Sequence, residues 1–447
     1  MTPELKSLQK FTQFKELFSN FFILTLFCIC LVPFSIALNG TGITANYFYV
    51  FFPFLFLMPF IRRKLIYHQE IAIIICVFIA IYFLHTPFEL FDSEAKIFRR
   101  FGSFLFFIFP LTLAFIKFER HDLHLFKLAV LIVCLYYSFS KLLLFSTLTL
   151  GYDGYFNWVQ GPEGLENFWG ANIRDIKVVN LKGIIGSQRY GFLLIFALWI
   201  SLFEPKLFFK KGLIFQRILI SVVLFVSCFL TFSRATFLVL VLTGIFYFVY
   251  KFSEVWNFFL KKTHHYSISN KLLTMIVIIT IISLIFGFIY FFRDLAILSF
   301  YKARFIEPFI SGTQNFTNPE SSEGYRIMLF AHVFEYVSQH PFYGSSYRGI
   351  SQLYNHFNNV GSVHNQYLDV FLRVGIIGTF FWLFLLYRIF EFCKKDTGLL
   401  IGFVGILFYG LFHETFRLSY GSFIFGMLLS FSYSSYLDNK RKKIKNL

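Results

Sequence analysis

A histidine followed by an asparagine stands where a long polar segment meets an apolar run. The stretch reads Gly361-Ser362-Val363-His364-Asn365, and the run behind it carries Gly375-Ile376-Ile377-Gly378. Imidazole changes charge near neutral pH, so a histidine at an aqueous mouth can take a proton from a hydroxyl as a general base. It can equally be a hydrogen-bonded loop histidine. Arginines supply the second kind of chemistry. Arg234 lies in the short turn Thr231-Phe232-Ser233-Arg234-Ala235-Thr236 between two apolar runs. Arg326 follows Gly324-Tyr325, Arg189 opens another apolar run, and Arg293, Arg304 and Arg348 share a long loop. A planar guanidinium forks onto two phosphate oxygens at once. An arginine at a membrane boundary also snorkels toward water with no ligand at all, so the residues alone leave both readings open. His413-Glu414-Thr415-Phe416-Arg417 begins like a zinc-protease box, but Arg417 stands where the second histidine is required. No metal site is expected there, and the polar pair is read as lining a cavity.

The elements that must hold these residues are membrane helices. The chain has 447 residues, of which 57% are hydrophobic and 15% charged, with 70 phenylalanines and a mean hydropathy of +0.65. A soluble domain is about a quarter charged. A crossing helix needs about 20 mostly apolar residues. Twelve stretches qualify, near 19–38, 43–60, 69–86, 101–116, 125–148, 188–204, 213–231, 235–250, 272–292, 366–390, 398–413 and 418–437. The sequence predicts one all-α polytopic domain over 1–447.

The net charge of +17 would raise nucleic acid as a partner in a soluble protein. Here the lysines and arginines crowd into alternate short turns, such as Arg62-Arg63-Lys64 and Lys394-Lys395, and into the tail Lys440-Arg441-Lys442-Lys443. That is the pattern of cytoplasmic loops, and it places both termini in the cytoplasm. Two long loops then fall outside, about 149–187 and 293–365. Within the second, Ile327, Leu329, Phe330, Val333, Phe334 and Val337 recur at helical spacing before the break at His340-Pro341. An amphipathic helix is expected there, lying on the membrane or roofing a cavity. The six cysteines fall in apolar runs or, for Cys393, at a cytoplasmic turn, so no disulfide framework is implied.

Taken in order, these pieces resemble the O-antigen ligase and polymerase family of bacterial surface-polysaccharide synthesis. The family's ligase pattern is a His, then Asn, Ser or Gln, then nine residues and Gly-x-x-Gly. His364-Asn365 with Gly375 and Gly378 fits every fixed position. Arg326 through His340-Pro341-Phe342-Tyr343-Gly344 resembles its "Arg, helix, His-Pro-x-x-Gly" segment, and Ser233-Arg234-Ala235 its external Ser-Arg turn. The resemblance covers about 185–435. Two features depart from it: Ser345-Ser346 replaces the usual Gly-x-Gly ending, and the Arg189 region fits loosely.

The resemblance implies a bacterial inner-membrane glycosyltransferase of GT-C-like architecture, with 293–365 as a periplasmic catalytic loop. It implies inversion at the anomeric carbon without a metal or other cofactor. The donor would be an undecaprenyl-diphosphate-linked glycan. Arg234, Arg326 and, less closely, Arg189 would hold the diphosphate, and His364 would be the base. The acceptor would be lipid A–core for a ligase, which the full His motif favours, or a lipid-linked repeat unit for a polymerase. A flippase for the same lipid is the competing class. Such transporters usually show two related halves, and the sequence shows no internal repeat.

Overall fold

The computed structural model describes residues 3–32, 35–37, 44–46, 65–90, 107–150, 190–204, 214–229, 231, 233–262, 322–346, 348–354, 363–416 and 418–445. The expected span near 272–292 lies outside these residues, and so does that near 43–60 except for Thr44–Asn46, which form a strand. Also outside them are most of the loop expected at 149–187, the stretch 293–321, Arg189 and His356.

The described chain is helical apart from a short antiparallel ribbon, Ser35–Ala37 paired with Thr44–Asn46. The helices in order are α1 (Pro3–Leu31), α2 (Gln69–Leu90), α3 (107–113), α4 (Arg120–Leu150), α5 (Gly191–Phe203), α6 (Ile214–Phe229) and α7 (Arg234–Lys262). They continue with α8 (Ser322–Gln339), the single turn α9 (Ile350–Leu353), α10 (Gln366–Cys393), α11 (Thr397–Tyr409) and α12 (Ser419–Lys445). Segments of α4, α7 and α10, namely Arg120–Phe139, Arg234–Lys251 and Gln366–Cys393, are long and apolar enough to cross a membrane. Shorter apolar helices, among them Gly191–Phe203 and Thr397–Tyr409, accompany them. The protein is therefore a helical membrane protein. The first span expected at 19–38 ends earlier, because α1 stops at Leu31 ahead of Pro33 and the ribbon.

Burial sorts the helices by depth in the bundle. Every residue of α5 from Gly191 to Ser201 is buried, so its apolar character on all sides marks a central helix. It packs most closely on α11. A side chain at Gly402 would strike the Phe196 ring at 2.6 Å, so the missing Cβ is what lets these two helices approach. By contrast, α6 and α7 expose Val222, Phe225, Phe237, Val241 and Ile245, as a lipid-facing surface does. The last helix is buried from Tyr420 to Ser434 even though it is rich in serine. Two of its hydroxyls are satisfied by distant carbonyls: Ser430 donates to that of Ile116 at 2.8 Å and Ser432 to that of Arg388 at 2.9 Å.

An ion triad ties three helices at one end of the bundle. Buried Lys127 of α4 donates to Glu204, just past α5, and to Asp396, which caps α11 by accepting from the Leu399 N–H at 3.0 Å. Taking one charge from such a group strands the others, so the triad sets where α4, α5 and α11 end. The opposite ends of α5 and α11, at Gly191 and Tyr409, carry the candidate site.

Candidate functional site

Two glycine-bearing motifs meet through their backbones. The sequence predicts one continuous helix over 366–390, but α10 is broken at Gly375, where φ is 60° and ψ −164°. The turn 341–346 that follows α8 docks into this break. Ser345 N–H and Ser346 N–H donate to the carbonyls of Leu372 and Arg373 at 2.7 Å each, closing the C-terminal end of the first half. Ile376 N–H donates to the Pro341 carbonyl at 2.8 Å and Ile377 N–H to the Phe342 carbonyl at 3.3 Å, closing the N-terminal end of the second. A helix broken inside an apolar bundle must have these groups satisfied by protein. Both glycines are needed for the fit. Gly344 (φ 63°) and Gly375 are left-handed, and a Cβ on Gly344 would strike the Leu372 carbonyl oxygen and lie 2.7 Å from Gly375 N. A Cβ on Gly375 would lie 2.6 Å from Tyr343 N.

The junction also explains the amphipathic helix expected around 325–337. α8 buries Leu329, Val333 and Val337 with Ile350, Val363 and Leu372, so its apolar stripe packs on α10, while Ile327 and Phe334 stay exposed. Arg326 rides near the start of this helix, half-buried.

His364 sits immediately before α10. It is one of two non-glycine residues with positive φ (56°) among the described residues, Ser346 (55°) being the other. Such a conformation is costly for a side chain and persists only where the surroundings impose it. Two neighbours impose it. Asn365 caps α10, its Oδ1 accepting from Tyr367 N–H and Leu368 N–H at 3.0 Å each, while its Nδ2 donates to the Leu411 carbonyl at 3.0 Å. Glu414 accepts the His364 backbone N–H on Oε1 at 2.9 Å. The His364 ring stands edge-on to His413 at 6.2 Å, and His413 stacks on Tyr409 at 5.3 Å.

Tyr409 links this group to the Ser-Arg turn. Its hydroxyl lies 3.3 Å from Thr236 Oγ1, within bonding reach of Ser233, and inside the field of the Arg326 guanidinium. Ser233 caps α7, its Oγ accepting the Thr236 N–H at 3.3 Å, and Arg234 is the first residue of that helix. Arg234, Arg326 and His364 therefore all lie on elements that converge on Tyr409 and His413. Gly191, two residues beyond Arg189, sits against Thr236 and the Tyr409 hydroxyl.

One turn into α10 lies a buried ion pair. Arg373 Nε donates to Asp369 Oδ2 at 3.0 Å, with both residues 2% exposed. The pair lines a small cavity with Gln366, Trp382 and Phe416, and Arg373 feels the charge of Glu414. Buried charges in a membrane bundle face its interior and are paired. Among the described residues no group of three or more His, Cys, Asp or Glu is placed to hold a metal ion.

Sequence reasoning missed three participants. Tyr409 looked like one more aromatic in an apolar run. Glu414 was grouped with His413 as cavity lining, with no hint that it holds the His364 backbone. The Asp369/Arg373 spacing of one helical turn inside an apolar run was the available signal for the ion pair.

Residues 219–383 match the family model described as O-antigen ligase (Wzy_C). The matched segment contains Arg234, Arg326, the His340-Pro341-Phe342-Tyr343-Gly344 turn, His364, Gly375 and Gly378. Over that segment the chain is similar to the O-antigen ligase family, and the match supports a function of the O-antigen ligase or polymerase type in general. No curated protein matches the chain.

Proposed function

We propose that the protein is an inverting glycosyltransferase that works without a metal. It moves an undecaprenyl-diphosphate-linked, O-antigen-type glycan onto an acceptor hydroxyl at the outer face of the inner membrane. The observation that supports this best is the convergence around Tyr409 of the Ser233-Arg234 helix start, the field of Arg326 and the His413–His364 ring pair. In this reading His364 accepts the acceptor's hydroxyl proton while the acceptor oxygen bonds to the anomeric carbon from the side opposite the leaving group. The bond from that carbon to the diphosphate oxygen breaks, and its electron pair leaves with the diphosphate. Charge grows on those oxygens in the transition state, where fixed guanidiniums stabilise it most. Arg234 and Arg326 supply them, with Arg189 as a third candidate. Glu414 acts as a positioning residue through the His364 backbone.

The acceptor is proposed to be lipid A–core, making the protein a ligase, on the fit of the His motif and the description of the matched family. A polymerase of the same family uses a lipid-linked repeat unit instead. Lipopolysaccharide from a deletion strain decides between them on a gel. Core alone supports the ligase, core plus one repeat unit the polymerase, and loss of all external lipid-linked glycan would point to a flippase and overturn the enzyme reading.

A further inference from the structure

The end of the bundle opposite His364 holds a second cluster of polar groups that the reaction does not use. Arg388, in the last turns of α10, lies with its guanidinium carbon 5.0 Å from the Tyr433 ring and 4.7 Å from the Tyr436 ring. Its Nε and Nη2 are buried without a hydrogen-bond partner. Beside it His68, only 7% exposed, stacks on Tyr433 at 4.7 Å, and its Nε2 is also buried and without a partner. Glu70 belongs to the same cluster: its Oε2 accepts the Tyr433 hydroxyl at 3.0 Å, and that hydroxyl is also within bonding reach of the Arg388 guanidinium.

Buried donors without partners cost about 1–3 kcal/mol each, more when charged, and three at one place call for a missing partner. Nε and Nη2 form one edge of the guanidinium. That edge matches two oxygens of a single anion, while the tyrosine rings hold the plane in position. Burial holds the His68 imidazole below its ordinary pKa; Glu70 opposes the shift and the Arg388 charge adds to it. The surrounding surface is apolar and aromatic: Leu65, Tyr67, Tyr387 and Tyr436 are all exposed. Aromatic residues of this kind mark the level of lipid headgroups.

We propose that Arg388 and His68 form a phosphate-binding site, framed by Tyr433 and Tyr436, that takes the headgroup phosphate of a phospholipid at the membrane face opposite the candidate active site.

Native mass spectrometry of the delipidated full-length protein in detergent tests this, titrated separately with phosphatidylglycerol, with diacylglycerol, which lacks the phosphate, and with inorganic phosphate. Wild-type protein should take up phosphatidylglycerol and not diacylglycerol. Arg388→Lys, which keeps the charge and loses the fork, should bind it about tenfold more weakly, and Arg388→Gln should do the same. Glu70→Gln should tighten binding, because it removes a negative charge beside His68 and Tyr433. Lys394→Gln, at an exposed cation paired with Glu391, should change nothing. Competition by inorganic phosphate would keep the site and assign it to a soluble phosphate. Equal lipid uptake by wild type, Arg388→Lys and Arg388→Gln would overturn the proposal. So would weaker uptake in Glu70→Gln, which would make Glu70 the partner of Arg388. Should Arg388→Gln fail to fold, Arg388→Lys and Glu70→Gln carry the test.

Discussion

His364 is held in a left-handed backbone conformation by Glu414, whose Oε1 accepts its N–H across 50 positions of sequence. The carboxylate binds the backbone of the histidine and leaves its ring facing the cluster of His413 and Tyr409. A base that must meet one hydroxyl proton in one direction needs such an external hold, because the αL conformation is not where a histidine settles by itself.

Glu414→Ala is expected to release that hold and lower glycan transfer, while Glu414→Gln, which keeps an acceptor oxygen, retains most of it. Single-turnover transfer in vitro checks this. Equal activity in Glu414→Ala and wild type would remove Glu414 from the mechanism.

His364→Ala should leave the protein inserted and folded while slowing transfer about 10²–10⁴-fold, the usual contribution of a positioned base. His332, which packs on Tyr354 at 4.6 Å, and His340, which packs on Tyr336 at 4.8 Å, should tolerate alanine far better, as should His356. Transfer from purified lipid-linked glycan is the assay, run with and without EDTA. Near wild-type turnover in His364→Ala would dismiss the base, and loss of turnover in EDTA would dismiss the metal-free reaction.

Arg234→Lys and Arg326→Lys should each impair transfer although the charge is kept, because an ammonium cannot fork onto a diphosphate. The loss should appear in kcat as well as in donor KM, since the charge being stabilised grows during the reaction. A lysine variant with unchanged kinetics would argue that the arginine only snorkels.

Gly344→Ala and Gly375→Ala should each destabilise the protein by several kcal/mol, because a Cβ meets backbone on the opposing motif and the positive φ adds about 1–3 kcal/mol of strain. Gly244 in α7 is the internal control. Nothing lies within 4 Å of its Cβ position, so Gly244→Ala should be neutral or stabilising by up to about 1 kcal/mol. Thermal melting in detergent reads both. A Gly375→Ala protein that melts like wild type would mean that the turn does not dock into the helix break.

A single cysteine placed at Ser321, ahead of α8, should label from outside in intact spheroplasts if the lysine and arginine pattern sets the topology. Labelling only after permeabilisation would invert it.

Local rules made much of this protein readable from its sequence. Uninterrupted apolar runs placed α2, α4, α5, α6, α10 and α11 to within a few residues and the start of α7, which runs twelve residues past its expected end, because a membrane leaves the backbone little choice but the helix. The period of apolar residues around 325–337 located α8, and the His-Asn pair marked the start of α10, because an asparagine there caps the first turn. What the linear sequence did not carry was the meeting of distant backbones. Gly344 and Gly375 belong to separate motifs in the sequence, yet they are the two surfaces of one joint, where each missing Cβ is the space for the opposing backbone. The helix break at Gly375, the carboxylate of Glu414 on the His364 backbone, and the placement of Tyr409 between the Ser-Arg turn and His413 all depend on residues that are far apart in sequence. Hydrogen bonds between such residues leave no periodicity and no local propensity, so only the packed bundle decides them.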